Sequence, residues 1–340
     1  MKRIRTARTV LLTMAAGVAW AVPAAEEAPR LRLGYFPNIT HAQALYLRAG
    51  GQFAKRIGVP IQWTSFNAGP TAIEALFADA IDATFVGPSP TINGFIKSKG
   101  EKFVIIAGGA SGGSGLVLRR DAGIRTERDF DRKIIATPQL GNSQDVAARA
   151  WFAAHGYTFK ERGGSLTLLP LSNADQLTFF KTREIHGAWT VEPWLARLEL
   201  EGDGELFLDE RKLWPEGRYV TTHLVVNRQF LAGNPRLVQR LLTALVEVTQ
   251  RLNADKVAAA AVLNAELKRE TGKALPDAVI ARAMERVEFT WDPIAVSLGR
   301  VAQAAHQAGI LRNAPDLAGI YSLRMLNSVL KEKDLPPVAE

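Results

Sequence analysis

Ile81-Asp82-Ala83-Thr84-Phe85-Val86-Gly87-Pro88 and Ile185-His186-Gly187-Ala188-Trp189-Thr190-Val191-Glu192-Pro193 repeat one pattern 104 residues apart. Each run follows a helical period, alternates small with bulky residues and stops at a Pro-bearing turn. Short apolar-rich runs bounded by turn residues, alternating with helical periods, read as strands of a largely parallel sheet. The offset is the length of one small α/β lobe. The match is loose and carries a one-residue insertion, so it suggests two similar lobes without establishing a duplication.

Working outward, the same grammar fills the chain. Strands are expected at 31–36, 61–66, 81–86 and 103–107, with helices at 42–56 and 71–78. Pro70 stands near the first helical position, where its missing N–H does no harm. The second half starts with a strand at 133–136, a polar turn at 137–144 and a helix at 145–155. A strand at 166–171 follows, then an N-cap at Ser172 or Asn173, a helix at 174–181 and the strand at 185–191. Two further β runs, 115–119 and 222–227, bracket that half. From Pro235 onward the pattern is helical. The expected organisation is therefore a first lobe of residues 30–118 and 222–340, with a second lobe, 119–221, inserted into it. Two connections between lobes permit hinge closure over a ligand.

Composition narrows the function. The chain has 340 residues, 47% hydrophobic and 22% charged, long enough for two ordinary domains. Lys2, Arg3, Arg5 and Arg8 precede an uncharged run from Val10 to Val22, and Val22-Pro23-Ala24 offers a small-residue cleavage site. This is the layout of a secretory signal peptide cleaved near Ala24, with an apolar stretch too short to span a bilayer. Its removal takes away four positive and no negative charges, so the formal net charge falls from +8 to +4. No basic cluster interleaved with aromatics remains, which argues against a nucleic-acid partner. The cysteine count is zero, which excludes disulfides, thiolate catalysis and Cys-based metal sites. It also excludes a lipid-anchored export form, so a free periplasmic protein is expected.

In open α/β sheets ligands sit beyond the carboxyl ends of strands, where helix N-termini present free N–H groups to an anion. The turns at 37–41, 67–71, 87–91, 108–114, 141–144 and 189–194 occupy such places. They are rich in Asn, Ser, Thr, Gln and Gly, neutral donors suited to reversible capture of an oxyanion.

Several of these stretches also resemble a known family. Gly34-Tyr35-Phe36-Pro37-Asn38-Ile39-Thr40-His41, Gly87-Pro88-Ser89-Pro90, Gly141-Asn142-Ser143-Gln144, Trp189-Thr190-Val191-Glu192-Pro193-Trp194 and Tyr219-Val220-Thr221-Thr222 are similar to substrate-binding proteins of the aliphatic sulfonate, nitrate and taurine uptake group. The resemblance runs in order from about Arg32 to Leu330. It implies the type II periplasmic binding-protein fold, two α/β lobes with a hinge and a ligand cleft, working as a monomer without a cofactor. It further implies a small anionic organic solute, with a sulfonate or sulfate ester first and nitrate, a carboxylate or a pyrimidine-type heterocycle behind it. An inner-membrane ABC permease with its ATPase would be the partner. By that resemblance the ligand-binding residues are Asn38, His41, Ser89, Ser111, Asn142, Ser143, Trp189, Glu192 and Thr222.

Each has a plainer reading. Asn38 and Ser89 can shape their turns, His41 can cap a helix, and Asn142 and Ser143 can cap without touching ligand. Trp189 can belong to the core or form an aromatic wall. Glu192 would repel an anion, so a structural pairing with Arg197 or the hinge is expected instead, with contact to an amine group as the other reading.

Catalytic alternatives are thinner. Gly109-Ala110-Ser111-Gly112-Gly113 matches the Gly-x-Ser-x-Gly pattern of hydrolases, with His41 or His223 as a conceivable base. That mechanism needs a strand-to-helix turn, and here a β run follows. The five histidines show no i, i+4 pair, so no metal site is expected, and no Gly-x-x-x-x-Gly-Lys-Ser/Thr run marks an ATPase. Two enzyme types implied by the same resemblance, a sulfinate desulfinase and a fungal-type thiamine-pyrimidine synthase, depend on cysteine.

Overall fold

The computed structural model of the chain describes residues 30–339. The signal peptide read at residues 1–24 lies outside the described residues. Among those described, no helix is long and apolar enough to cross a membrane.

Four strands come first: β1 (Leu31–Tyr35), β2 (Ile61–Ser65), β3 (Ala83–Val86) and β4 (Phe103–Gly112). Then come β5 (Ser114–Arg119), β6 (Ile134–Thr137), β7 (Thr167–Pro170), β8 (Gly187–Val191) and β9 (Gly204–Asp209). The chain closes with β10 (Val220–Asn227) and β11 (Val287–Phe289). Among the strands run helices α1 (Ala42–Arg48), α2 (Gln52–Ile57), α3 (Gly69–Phe77) and α4 (Pro88–Lys97). Next are α5 (Ser143–Ala154), α6 (Asn173–Lys181) and α7 (Trp194–Leu200). The C-terminal third supplies α8 (Arg228–Gly233), α9 (Pro235–Ala254), α10 (Lys256–Thr271), α11 (Asp277–Arg286), α12 (Ala295–Gln307) and α13 (Arg324–Glu332).

The strands build two mixed sheets, ordered β11-β4-β10-β3-β1-β2 and β7-β6-β8-β5-β9. Taken from matching edges, β2-β1-β3-β10-β4 and β7-β6-β8-β5-β9 are the same arrangement. In each, three parallel strands are followed by one antiparallel strand and then a last strand antiparallel to that. The repeated sequence pattern lands on β3 and β8, which hold equivalent positions. Both are buried on both faces, which accounts for their continuous apolar character.

Helices cover both faces of each sheet. On the first sheet Leu31, Leu33 and Phe85 pack with Leu241, Leu245 and Val248 of α9, while Ile73, Leu76, Ile92 and Leu298 cover the opposite face. On the second, Phe130, Phe152 and Trp189 form one layer, and Phe180, Leu195 and Leu198 the other. This is the α/β layering expected of crossover connections.

The chain passes from β4 to β5 at Gly113, and returns from β9 to β10 through residues 210–219. Gly112 and Gly113 have φ of +75° and +72°, a left-handed turn that a side chain disfavours.

Four expectations needed correction. The helix expected at 42–56 is two, α1 and α2, parted at Gly50 and Gly51, whose φ of +88° and +82° break the helical path. The glycine-rich stretch 108–114 is not a turn: β4 runs through it to Gly112 and pairs with β10 and β11. Its glycines admit close backbone neighbours, since a Cβ on Gly108 would collide with the Asp292 carbonyl. Pro88-Ser89-Pro90 is the first turn of α4 rather than a loop, because the early prolines need donate no helical hydrogen bond. The C-terminal segment also contributes a strand, β11, which its helical surroundings concealed.

Candidate functional site

The carboxyl ends of β3 and β8 approach one another, and the helices that start beside them do the same. Helix α4 begins after Gly87 and α5 after Asn142, one from each sheet. Their first turns touch: the Ser89 N–H donates to Ser143 Oγ at 3.3 Å. Gly87 permits this approach, because a Cβ there would collide with Ser143 Oγ and lie 3.3 Å from its Cβ. Two helix N-termini, each carrying roughly half a positive charge and unpaired N–H groups, thus converge on one point. Such an arrangement favours negative charge.

Between them lies a cavity of about 30 Å³, room for one or two water molecules. Its lining includes Asn38, His41, Asn67, Asn142, Ser143, Gln144, Asn173 and Thr221, with no Lys, Arg, Asp or Glu. Neutral side chains do the work here.

Their orientations are fixed by local bonds. Asn142 caps α5 by accepting the Asp145 N–H at 2.8 Å, and its amide donates to Gln144 Oε1 at 3.1 Å. Asn38 Oδ1 accepts the Trp194 indole N–H at 3.1 Å, a bond from one sheet's side to the other, leaving the Asn38 amide nitrogen for the cavity. His41 Nδ1 accepts the Phe36 N–H at 3.3 Å, so the proton of the neutral ring sits on Nε2. Burial lowers the His41 pKa to about 3, and the ring lies on Phe36 with centroids 4.3 Å apart. His41 is therefore an uncharged donor at the wall of the cavity.

Larger spaces adjoin on both sides. One of about 270 Å³ shares Ser143, Gln144 and Thr221 with the central cavity and is otherwise walled largely by apolar groups, among them Trp151, Trp214, Tyr219 and Val301. The other, about 360 Å³, shares Asn38, Asn67 and Asn173 and continues past Trp194, Arg197 and Lys273.

Of the nine residues singled out from sequence, Asn38, His41, Asn142 and Ser143 line the central cavity. Ser89 lines the apolar one beside it, its buried hydroxyl oxygen without a hydrogen-bond partner. The remaining four stand elsewhere. Trp189 is enclosed in the core and donates its indole N–H to Glu210 at 3.0 Å. Thr222 is fully buried in β10 and lines none of these three cavities; Thr221, on the opposite face of the strand, does. Ser111 accepts the Tyr219 N–H at 3.3 Å and borders a separate, charged recess.

Glu192 is buried away from the cavities. It pairs with Arg286 of α11 at 3.0 Å and accepts the Ala196 N–H at 3.1 Å. The anticipated partner, Arg197, instead binds Glu201 at 2.9 Å. Burial pushes the Glu192 carboxyl up to about 7, although Arg286 pulls it down.

Neither histidine considered as a base for Ser111 is free for that role. His41 is bonded to Phe36, and His223 Nε2 faces the Pro293 carbonyl at 3.2 Å. Cavity residues that sequence reading passed over are Asn67, Gln144, Asn173 and Thr221. Asn67 and Gln144 sat in turns already marked by their polar composition, Asn173 stood only as a possible N-cap, and the strand phase of β10 singles out Thr221 from Thr222.

Comparison with known proteins gives the family and the fold. The NMT1-like family model matches residues 24–265. The taurine-binding periplasmic protein of Escherichia coli K12 is 21% identical over 206 residues, 60% of this chain; the match spans 61% of that relative's length. The alkanesulfonate-binding protein SsuA of Xanthomonas axonopodis pv. citri, solved with MOPS bound, superposes with a TM-score of 0.72 at 21% identity. That superposition covers 88% of this chain and all of that one. The periplasmic nitrate-binding protein NrtA of Synechocystis PCC 6803 gives a TM-score of 0.78 at 16% identity, covering 91% and 90%. The chain belongs to the NMT1-like family and has the two-sheet α/β fold of periplasmic binding proteins.

Proposed function

We propose that this protein is a non-catalytic periplasmic solute-binding protein that captures a small organic anion and passes it to an ABC permease. The observation that carries the reading is the meeting of the α4 and α5 N-termini around a cavity lined by neutral donors. In a partly buried site each helix end favours an anion by up to about 2 kcal/mol. The Asn38 and Asn142 amides, His41 Nε2–H and the Ser89 and Ser143 hydroxyls supply hydrogen bonds without the tight grip of a salt bridge.

The lobes expected at 30–118 with 222–340 and at 119–221 are drawn with β5 in the inserted lobe and all of β10 in the first, since each strand pairs in that sheet, and the hinges are Gly113 and the 210–219 segment. The central cavity holds little more than water, so capture requires the lobes to part and close again. A sulfonate or sulfate ester is the first choice of ligand. Its three oxygens match a ring of donors, and the apolar cavity beside the head group gives an organic tail a place. A leader at residues 1–24 fits export, with cleavage near Ala24, and a monomer fits a two-lobe clamp. The relatives named for taurine, alkanesulfonate and nitrate support the same class.

The test is thermal melting of the mature chain against sulfonates, nitrate, phosphonates, carboxylates and pyrimidines, with mass spectrometry of whatever co-purifies. A ligand at 100 times its Kd stabilises the fold by about 2.7 kcal/mol, which shifts the melting temperature visibly. Saturable stabilisation by one anion class without turnover is expected. No response to any anion, or product formation lost on Ser111→Ala, would sink it.

A further inference from the structure

The anion cavity has a larger space on each side of it. The one of about 270 Å³ shares Ser143, Gln144 and Thr221 with it, and the one of about 360 Å³ shares Asn38, Asn67 and Asn173. No residue lines both outer spaces. They also lie on opposite faces of both sheets. The first is walled by α4, α5 and α12, whose Ile92, Trp151 and Leu298 pack on one face of each sheet. The second is walled by α6, α7 and α10, whose Leu177, Leu195 and Leu267 pack on the other. The cleft is thus a passage from face to face, with the starts of α4 and α5 at its middle.

Capture of a one-tailed anion fills the first space and leaves the second without a task. Yet the second is shaped for organic matter. Pro37, Pro193, Trp194, Leu267 and Leu275 line it. The Trp194 indole is held by its bond to Asn38 Oδ1, and the Arg197 guanidinium lies 4.6 Å from the ring centroid. Of the charged groups there, Arg197 and Glu201 neutralise one another and Lys273 is exposed. The remaining wall is largely apolar.

An oxyanion seated midway along such a passage fits best with an organic arm in each direction. A sulfonate carries one arm only. The absence of Lys and Arg from the central lining suits a single negative charge. A diester of phosphoric acid meets all of these needs: two arms, one charge at neutral pH, and two free oxygens to face the two helix starts.

We propose that the cleft also accepts phosphodiesters. The phosphoryl group lies between the α4 and α5 N-termini, one arm in the space beside α12 and the other along Trp194 and Leu267. The proposal rests on the anion-capture reading and adds a second arm site to it.

Isothermal titration tests this with dibutyl phosphate, which has two long arms, and butyl methyl phosphate, which has one. Butanesulfonate serves as the one-armed terminal anion. Burying three further methylenes strengthens binding by up to about fiftyfold. Dibutyl phosphate should therefore bind wild type at least about tenfold more tightly than butyl methyl phosphate. Ala174→Trp and Ala274→Trp each carry bulk into the second space from an exposed position, and each should bring the pair within about threefold. A wild-type difference below tenfold overturns the second arm site, as does failure of dibutyl phosphate to bind where butanesulfonate does. Both results leave anion capture standing. A tenfold preference that survives both substitutions also overturns it. The wild-type comparison needs no variant, so a poorly folded one does not blunt it. If neither phosphate nor butanesulfonate binds, and no other anion stabilises the fold, anion capture itself fails and the second arm site goes with it.

Discussion

Gly87→Ala is the sharpest probe of lobe closure. The new methyl would stand where α4 and α5 meet, colliding with Ser143 Oγ and lying 3.5 Å from the Thr221 carbonyl oxygen. Gly87 has φ −74° and ψ 165°, which alanine adopts freely, so the backbone itself is unstrained. To make room Ser143 must rotate away from the Ser89 N–H, or the helices must separate by a few tenths of an ångström. Overpacking of this kind costs about 1–3 kcal/mol. It falls on the closed, ligand-bound form, so Kd should rise by about five- to 150-fold at 1.4 kcal/mol per decade. The empty, open form should lose less than about 1 kcal/mol, the effect of alanine at an N-cap. Titration calorimetry gives the first quantity and urea unfolding of ligand-free protein the second. Adding Ser143→Ala removes the colliding oxygen and should recover part of the loss. A Gly87→Ala protein whose Kd stays within twofold of wild type refutes the idea that these helix ends meet on capture.

Three further outcomes are expected. Burial holds His41 near 3 and His223 near 4, below their unfolded value, so each takes up a proton on unfolding. The stability they contribute is present above about pH 6.5 and is lost as pH falls toward those values. His223→Asn should flatten the fall in urea-unfolding free energy between pH 6.5 and pH 4, and an unchanged slope would contradict this. Glu192 works in the opposite sense: its folded value is raised to about 7, so its contribution is complete below about pH 4.5 and is lost as pH rises through 7. Glu192→Gln should therefore lose less stability than wild type between pH 5 and pH 8. Asn142→Ala should cost about 1 kcal/mol through its cap on α5 and weaken ligand at least tenfold besides. A stability loss with full affinity would make Asn142 a cap only, as measured by urea unfolding and calorimetry on the same preparation.

Much of the architecture was legible because it is written in local pattern. Ala83–Val86 and Gly187–Val191 reveal themselves as buried strands by composition, and their shared ending exposes the doubled plan. Asn142 and Ser143 stood out through the family resemblance and the polar turn at 141–144, and capping chemistry explains why an Asn sits where α5 starts, two residues before the position its periodicity gives. The misses are non-local. Glycines at 108–113 look like a turn because the sequence shows their flexibility and not the Asp292 and Thr222 backbone pressed against them. Trp189 and Glu192 lie within three residues of the cleft wall at Val191, yet one points into the core and the other toward Arg286, 94 residues away. Thr221 and Thr222 differ only in strand phase, which β10's pairing with two neighbours decides.

The interleaving of the two sheets also permits one order of assembly in particular. Every strand of the second sheet is drawn from residues 114–209, whereas the first keeps a gap in its middle until β10 slots between β3 and β4. A chain emerging from its amino end can therefore finish the inserted unit while β1, β2 and β3 are still waiting for their neighbour. That neighbour's arrival brings both crossings into register and aligns the helix starts on either side of the gap. On that order the surrounding unit would set last, around a partner whose strands are already paired.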